Sequence, residues 1–471
     1  MCNDNRRTFL RHAAVSAAAA FAGGCGVFQG KRTEALRERD VSSRADPGPP
    51  LDFAFIGVGG IGSQHLQSFN RPEINVAALC DVDMRELYKA RDMISVRHPS
   101  VQIYKDFRVM LQNMPRLDAV VISTPDHGHG VQAVHALRAG CHVFLETPLT
   151  HTLEELEVLE NEAERAGRIV MPGDCGCMHE EALRAHEVIS TGILGKIIQV
   201  HIWTNRPVWP QGGSLPAGSD PVPETLDWQL WLSGAKPRSF KRYVYHRFNW
   251  RGWTDFGSGT LGDIGCRLLG FPYKVLQLEA PYETERTYAS RCSEFSYPRA
   301  TELRLQCESR LQRDPVEIFW YDGLRMPRPE LLKQVRTTLG RVPGTGTLII
   351  GERASWLVRG SACEQHYLGQ NGARRMVDLE KHDLWTSAPA LFPRNSNPRE
   401  LFLRSVRNSR NCGFDMFAHS DLNQAILIGA IAQRMDGRLK WNKRKGRFRK
   451  NDTADNLTRP HLEPGWKYYR G

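Results

Sequence analysis

The sequence predicts an α/β protein: an N-terminal doubly wound parallel sheet, then a C-terminal α+β domain with an open, mostly antiparallel sheet. Three observations predict it. Short apolar runs of β propensity alternate with helix-period stretches between residues 53 and 171, the pattern of consecutive βαβ units. The first run, Phe53-Ala54-Phe55-Ile56, leads into glycines spaced G-x-G-x-x-G, and a helical stretch follows. From Gly173 onward the strands become longer and more separated, with fewer helices between them.

In order, strands are expected at 53–58, 75–80, 119–123, 142–145 and 168–171, with helices at 61–69, 85–93, 106–114, 130–139 and 153–166. In such sheets ligands lie outside the carboxyl ends of the strands. After the first strand, Gly57 permits the sharp turn, Gly59 lets a pyrophosphate approach the backbone, and Gly62 lets the helix pack on the strand. Gly60 and Ile61 open a helix whose free N–H groups and positive dipole end suit phosphate. Asp81 ends the next strand about 20 residues on, as a dinucleotide fingerprint asks. Its carboxylate can take both ribose hydroxyls and repel a 2′-phosphate, which favours NAD over NADP. Ser123-Thr124-Pro125-Asp126-His127 forms a polar turn at the cofactor edge, with Thr124, Pro125 and His127 as cofactor-side candidates. Glu146-Thr147-Pro148 follows the strand 142–145 and adds Glu146 to the cofactor set. A Rossmann-type dinucleotide-binding domain is thus expected over 51–172, and a substrate and oligomerisation domain over 173–471. Strands of the second domain are expected at 197–203, 301–307, 316–320, 347–350 and 356–358. A helix at 421–435 carries Leu422, Ala425, Ile426 and Gly429 at core spacing.

A chain of 471 residues, 41% hydrophobic and 24% charged, suits a globular protein of two or three domains. The net charge of +11 is concentrated most densely at 440–450, where basic and apolar residues alternate as in an exposed hairpin. No nucleic-acid module accompanies it, so no nucleic-acid partner is expected. The 11 cysteines are irregularly spaced, and Cys175-x-Cys177 lacks the C-x-x-C spacing, so neither a disulfide scaffold nor a metal site is expected. Arg6-Arg7-Thr8-Phe9-Leu10 precedes a small apolar stretch at 13–23, too short to span a bilayer, and resembles a twin-arginine export signal over 1–25. Ala22-Gly23-Gly24-Cys25 loosely resembles a lipoprotein cleavage box, which makes Cys25 a candidate lipid anchor. Residues 26–50 read as a flexible linker. The expected destination is the periplasm or a membrane-anchored lipoprotein. Export of a folded chain is compatible with a dinucleotide loaded beforehand.

Together with Asp81, the glycine loop, Thr124-Pro125-Asp126-His127, Glu146-Thr147-Pro148, Leu194-Gly195-Lys196, His246-Arg247-Phe248-Asn249-Trp250-Arg251-Gly252-Trp253 and Gly262-Asp263-Ile264-Gly265-Cys266 resemble the glucose–fructose oxidoreductase, inositol dehydrogenase and MocA family, over roughly residues 51 to 466. The twin-arginine pattern and the stretch Trp203 to Gly212 resemble its secreted branch. The resemblance implies hydride transfer between a sugar or polyol carbon and a nicotinamide, with NAD as cofactor, and a homo-oligomer assembled through the C-terminal sheet. It also implies a lysine after the strand 142–145 and a histidine four residues beyond an aspartate. This chain carries Thr147 and Arg267 at those places, and Gly173-Asp174-Cys175-Gly176-Cys177 replaces a further motif. A neutral hydroxyl supplies no charge, and a guanidinium is a poor base. Two readings stay open. In one, Arg267 replaces the lysine charge and Asp263 or His246 acts as base. In the other, the chain is a degenerate dinucleotide- or sugar-binding protein. NAD-dependent glycoside cleavage, performed by a branch of the family, is a third possibility. On a helix, Asp263 and Arg267 could instead form an ion pair.

Trp203, Trp209, Trp228, Trp231, Trp250 and Trp253 precede Asp263. Trp rings stack on sugar faces, and Asn205, Arg206 and Asn249 could bond hydroxyls, so Asn205, Arg206, Trp209, Asn249 and Trp250 are the substrate-side candidates. Asp227-Trp228-Gln229-Leu230-Trp231 reads as packing. His65, His135 and His186 read as structural, while His127 or His129 is expected to face the cofactor.

Overall fold

The computed structural model describes residues 48–466 except 174, 292, 364, 393–396 and 410–412. The export signal with Arg6 and Arg7, the Cys25 box, Asp174 and most of the linker lie outside the described residues.

The first sheet has six parallel strands in the order β3-β2-β1-β4-β5-β6: β1 (Leu51–Ile56), β2 (Ile74–Cys80), β3 (Gln102–Tyr104), β4 (Ala119–Ile122), β5 (His142–Leu145) and β6 (Val170–Pro172). Its strands are short and almost wholly apolar because helices cover both faces. The connecting helices are α1 (Ile61–Phe69), α2 (Met84–Ile94), α3 (Phe107–Asn113), α4 (Asp126–Arg138) and α5 (Leu153–Ala166). Asp83, Asp106 and Thr152 cap α2, α3 and α5, and Glu155 completes a capping box with Thr152. The strand order reverses between β1 and β4, which places the binding crevice at their carboxyl ends.

The second sheet has ten strands, ordered β14-β13-β12-β11-β7-β10-β9-β8-β15-β16. The five expected strands correspond to β7 (Ile197–Trp203), β9 (Thr301–Ser309), β10 (Gln312–Tyr321), β11 (Gly346–Gly351) and β12 (Ala354–Arg359). All pairs are antiparallel except β7 with β10. Strands β3, β8 (Glu283–Ala289), β13 (Gln365–Gln370) and β14 (Val377–Asp378) carry mixed or polar sequences and were not expected as strands, whereas β15 (Arg438–Asn442) and β16 (Arg447–Phe448) pair where a hairpin is expected over 440–450. The basic run does form a hairpin, but Trp441 and Phe448 pair across it and are buried, leaving only its charges outside.

Helix α6 (Glu180–Ser190) leads into the second sheet, and the short α7 (Trp228–Leu232) lies in the long segment after β7. Helix α8 (Gly259–Val275) is buried along most of its length. Helices α9 (Lys333–Leu339), α10 (Asp383–Ser387), α11 (Pro398–Asn408) and α12 (Ser420–Ala432) follow. Leu422, Ala425 and Ile426 of α12 are in the core, as their spacing predicts. Helix α11 returns to the first sheet: Phe402 packs edge-on against Phe53, Phe69 and Phe144, and Glu400 pairs with Arg71. The chain from 173 onward therefore also supplies part of the first domain's cover. No helix of the described residues is long and apolar enough to cross a membrane. The described cysteines are buried, and no group of three or more metal-ligating side chains occurs among the described residues.

Candidate active site

A cleft of about 450 Å³ runs along the carboxyl ends of β1, β2, β4 and β5. The glycine loop forms one wall. Gly57 has φ +78°, and a Cβ there would lie 2.8 Å from the Ser123 main chain. A Cβ at Gly62 would lie 1.9 Å from the Gly57 carbonyl oxygen, so close helix–strand packing needs glycine at both positions. Gly60 begins α1 with no side-chain cap, its own surroundings are open, and the nearby Ser123 hydroxyl is buried without a partner. Uncapped N–H groups, an open glycine and an orphaned hydroxyl fit a dinucleotide's pyrophosphate.

Asp81 lines the cleft past β2. Its carboxylate accepts from the backbone N–H of Val58 at 2.9 Å and of Asp83 at 2.9 Å, which ties the glycine loop to the end of β2. Burial raises its pKa. The carboxylate's remaining lone pairs can accept from a ribose. Lys105, Asp106, Phe107 and Trp466 line the end of the cleft near β3, and the Arg108 guanidinium lies 4.1 Å from the Trp466 ring centre.

Thr124, Pro125, Asp126, His127, Glu146 and Thr147 line the opposite end, past β4 and β5. Asp126 is the first residue of α4 and only 4% exposed. Burial pushes its carboxyl up to about 7, against the Arg251 guanidinium and Ser258, and the neighbouring Asp263 adds to the rise. His127 directs Nδ1 at the Phe256 carbonyl, 3.2 Å away, and Nε2 at the Trp231 carbonyl, 2.9 Å away. It joins α4 to the second domain, and burial lowers it to about 4. His129 lies between the Pro148 and Thr124 carbonyls, each at 2.8 Å.

Thr147 faces the cleft and hydrogen-bonds the Cys266 thiol of α8. Glu146 contacts His65 Nε2 at 2.5 Å, and Arg399 donates to His65 Nδ1 at 3.1 Å, which fixes the ring with its proton towards Glu146. Burial opposes ionisation of Glu146, but His65 and Arg267 hold its pKa below the usual value. Arg267 lines a separate space with His65, Glu146 and Arg399 on the far side of Glu146, not the dinucleotide cleft. Asp263 accepts from Arg251 Nε at 2.7 Å and pairs with Arg206 at 3.2 Å, so its carboxylate is engaged away from its helix neighbour Arg267.

An aromatic loop, residues 246–253, reaches across the cleft from the second domain. His246 contacts the Asp83 carboxylate at 3.1 Å, at the β2 end and away from Thr147. Phe248, Trp250 and Arg251 line the cleft, with Arg251 4.3 Å from the Trp250 ring centre. Trp209 is buried and donates to Gln211, Asn249 donates to the Tyr243 carbonyl, and Asn205 accepts weakly from Thr345. Of the substrate-side candidates, Trp250 lines the cleft, whereas Arg206, paired with Asp263, and Asn205, Trp209 and Asn249 do not. Trp228 and Trp231 stack at 4.6 Å as core, though Trp231 also faces the cleft. Sequence reasoning passed over Asp126, Arg251 and Trp466. Asp126 and Arg251 lie inside motifs already singled out, but nothing local signals the burial of one or the direction of the other.

Residues 51–174 match the family described as "Oxidoreductase family, NAD-binding Rossmann fold", and residues 178–277 match its C-terminal alpha/beta domain. A "Glycosyl hydrolase family 109 protein" of Shewanella pealeana is 25% identical over 272 residues, 55% of this chain and 54% of that protein. Another of the same description, from Shewanella amazonensis, is 30% identical over 205 residues, 42% of this chain and 45% of that protein. The chain thus spans about half the length of these curated relatives. Among solved structures, aldose-aldose oxidoreductase from Caulobacter crescentus, complexed with glycerol, superposes with TM-score 0.56 at 16% identity, covering 83% of this chain and 100% of that one. An inositol dehydrogenase homolog from Azotobacter vinelandii, complexed with NADH and myo-inositol, gives TM-score 0.56 at 17% identity, covering 84% and 98%. These likenesses show a shared fold. The matches of residues 51–174 and 178–277 to the two family domains establish that this chain belongs to the Gfo/Idh/MocA family of NAD-binding oxidoreductases.

Proposed function

We propose that the protein oxidises a hydroxyl-bearing carbon of a sugar or polyol with NAD as hydride acceptor, and that Asp126 is its proton-transfer group. One observation carries this reading: a buried carboxyl with a pKa of about 7 lines the end of the cleft where the nicotinamide of a dinucleotide would lie. Proton transfer is most efficient when the group titrates near the working pH. The bound nicotinamide would supply the two-electron acceptor. Asp126 takes the proton of the reacting hydroxyl and returns it in the reverse direction. Arg251, stacked on Trp250 and held by Asp263, supplies the positive charge that stabilises the developing alkoxide. In this reading the charge missing at Thr147 comes from Arg251, not Arg267, because Arg251 lines the cleft and acts on Asp126, whereas Arg267 does not line it. His246 serves as an anchor on Asp83 and not as a base. Asp81 favours NAD over NADP for the reason given above.

The relatives described as glycosyl hydrolases favour a second reading, in which the hydride leaves and returns within one turnover and a glycosidic bond is cleaved without net oxidation. Incubating the purified protein with NAD and a panel of polyols, aldoses and nitrophenyl glycosides separates the readings. Net NADH formation supports oxidation, and nitrophenol release without NADH supports cleavage. Tight NAD binding with neither product would mean a degenerate binding protein. No binding of NAD or NADP would overturn all three.

A further inference from the structure

A carboxylate stands where the glycine loop should receive phosphate. A Cβ at Gly59 would meet Glu86 of α2, with Oε2 3.3 Å from that position. Two negative charges of a pyrophosphate over Gly59 and Gly60 would be repelled by that group in a partly dry cleft. Arg247 of the aromatic loop offsets it: its guanidinium pairs with Glu86 Oε1 at 2.9 Å and lines the same cleft. A guanidinium has five N–H donors in a planar fork, so one can hold Glu86 while others face a phosphate. The loop is fixed in place on one side, because His246 holds Asp83 and the 82–84 strand end pairs with 225–227 through Met84, Asp227 and the Asp83–Leu226 bridge. Arg247 itself stays 52% exposed, so it is not required as a buried structural ion pair.

We infer that Arg247, a residue of the second domain, is a pyrophosphate ligand that also neutralises Glu86 beside the glycine loop. The inference rests on the dinucleotide reading above and deepens it. The phosphate seat is then built from both domains. The Rossmann part contributes backbone N–H groups, and the loop contributes a cation, paired with the Glu86 that Lys89 also contacts.

The test is calorimetric binding of ADP-ribose, which carries the pyrophosphate without nicotinamide, to the full chain and to Arg247→Gln, Arg247→Lys and Glu86→Gln. Loss of a charge-assisted contact is expected to weaken ADP-ribose about 10- to 100-fold in Arg247→Gln. Arg247→Lys is expected to retain part of the affinity, and the loss in Arg247→Gln to shrink as salt rises. Glu86→Gln is expected to bind as well as the native chain or better, because a repulsive charge is removed. Unchanged affinity in Arg247→Gln would overturn the inference. So would equal weakening by Glu86→Gln and Arg247→Gln, which would mean that the pair only fixes the loop. Failure of the native chain to bind ADP-ribose at all would instead remove the dinucleotide reading, and this inference with it.

Discussion

Two aspartates of this protein follow the ends of strands, and burial pushes both up to about 7: Asp126 after β4 and Asp322 after β10. Their surroundings differ. Asp322 is fully buried and accepts from the Thr301 backbone N–H at 2.5 Å, the Trp320 indole at 3.0 Å and the Gln433 amide at 3.1 Å. It joins β9, β10 and the end of α12, and it lines none of the cavities described above. Asp126 lines the cleft, with Arg251 and Asp263 close enough to act on its charge. A perturbed carboxyl is therefore a site candidate only where a ligand can reach it, since structural networks perturb pKa values as strongly as catalytic ones.

The largest expected effect separates the two directly. Asp126→Asn should lower kcat for whichever substrate is turned over by about 10²–10⁴-fold. The kcat/KM limb near pH 7, rising with pH in the oxidation direction, should vanish with it, while circular dichroism stays native. A variant that keeps full activity would remove Asp126 from the chemistry. The second effect is on stability. Both carboxyls keep protons in the folded state that the unfolded chain releases between about pH 4 and 7. The contribution of these two carboxyls should therefore fall as pH rises through that window and level off above 7, by at most about 4 kcal/mol per group, while neutral buried histidines such as His127 contribute in the opposite direction. Thermal melts of the native chain and of Asp126→Asn from pH 4 to 8 would isolate the Asp126 part as their difference, which should shift in favour of the variant as pH rises.

The third effect reverses the contrast. Asp322→Asn sets an amide N–H₂ against donors that now converge on oxygen, and should cost about 1–3 kcal/mol. The loss would appear as a lower melting temperature, with activity per folded molecule unchanged. If turnover fell instead with stability intact, the assignment of the two aspartates would be backwards. The smallest effect lies at the other end of the cleft. Trp466→Ala should weaken NAD by about 0.5–1.5 kcal/mol through lost aromatic contact, seen as a higher Kd with little change in kcat.

Much of the first domain was legible because its signals are local. Apolar runs fix β1, β2, β4, β5 and β6, the helix spans 61–69 and 153–166 match α1 and α5, and the glycine spacing identifies the turn. Strand β3 was missed because three residues, Gln102-Ile103-Tyr104, carry no pattern that a loop could not. In the second domain, β7 and the inner strands were readable from buried alternation. The strands β8 and β13 were not, because β8 carries charge where an apolar residue would signal a strand, as in the pair of Glu285 with Arg438, and β13 begins and ends on exposed glutamines.

The sequence by itself determined the cradle: Gly57, Gly59, Gly62 and Asp81 follow from backbone conformation and strand endings, which are set by residues close in the chain. The tertiary structure decided which groups face the cleft. Asp126 gains its pKa from burial by α8 and the aromatic loop, Arg251 turns into the cleft while Arg267 turns behind Glu146, and Arg247 arrives from another domain beside Gly59. Desolvation and charge proximity depend on what packs against a residue across the whole fold, and no local pattern in the chain encodes that.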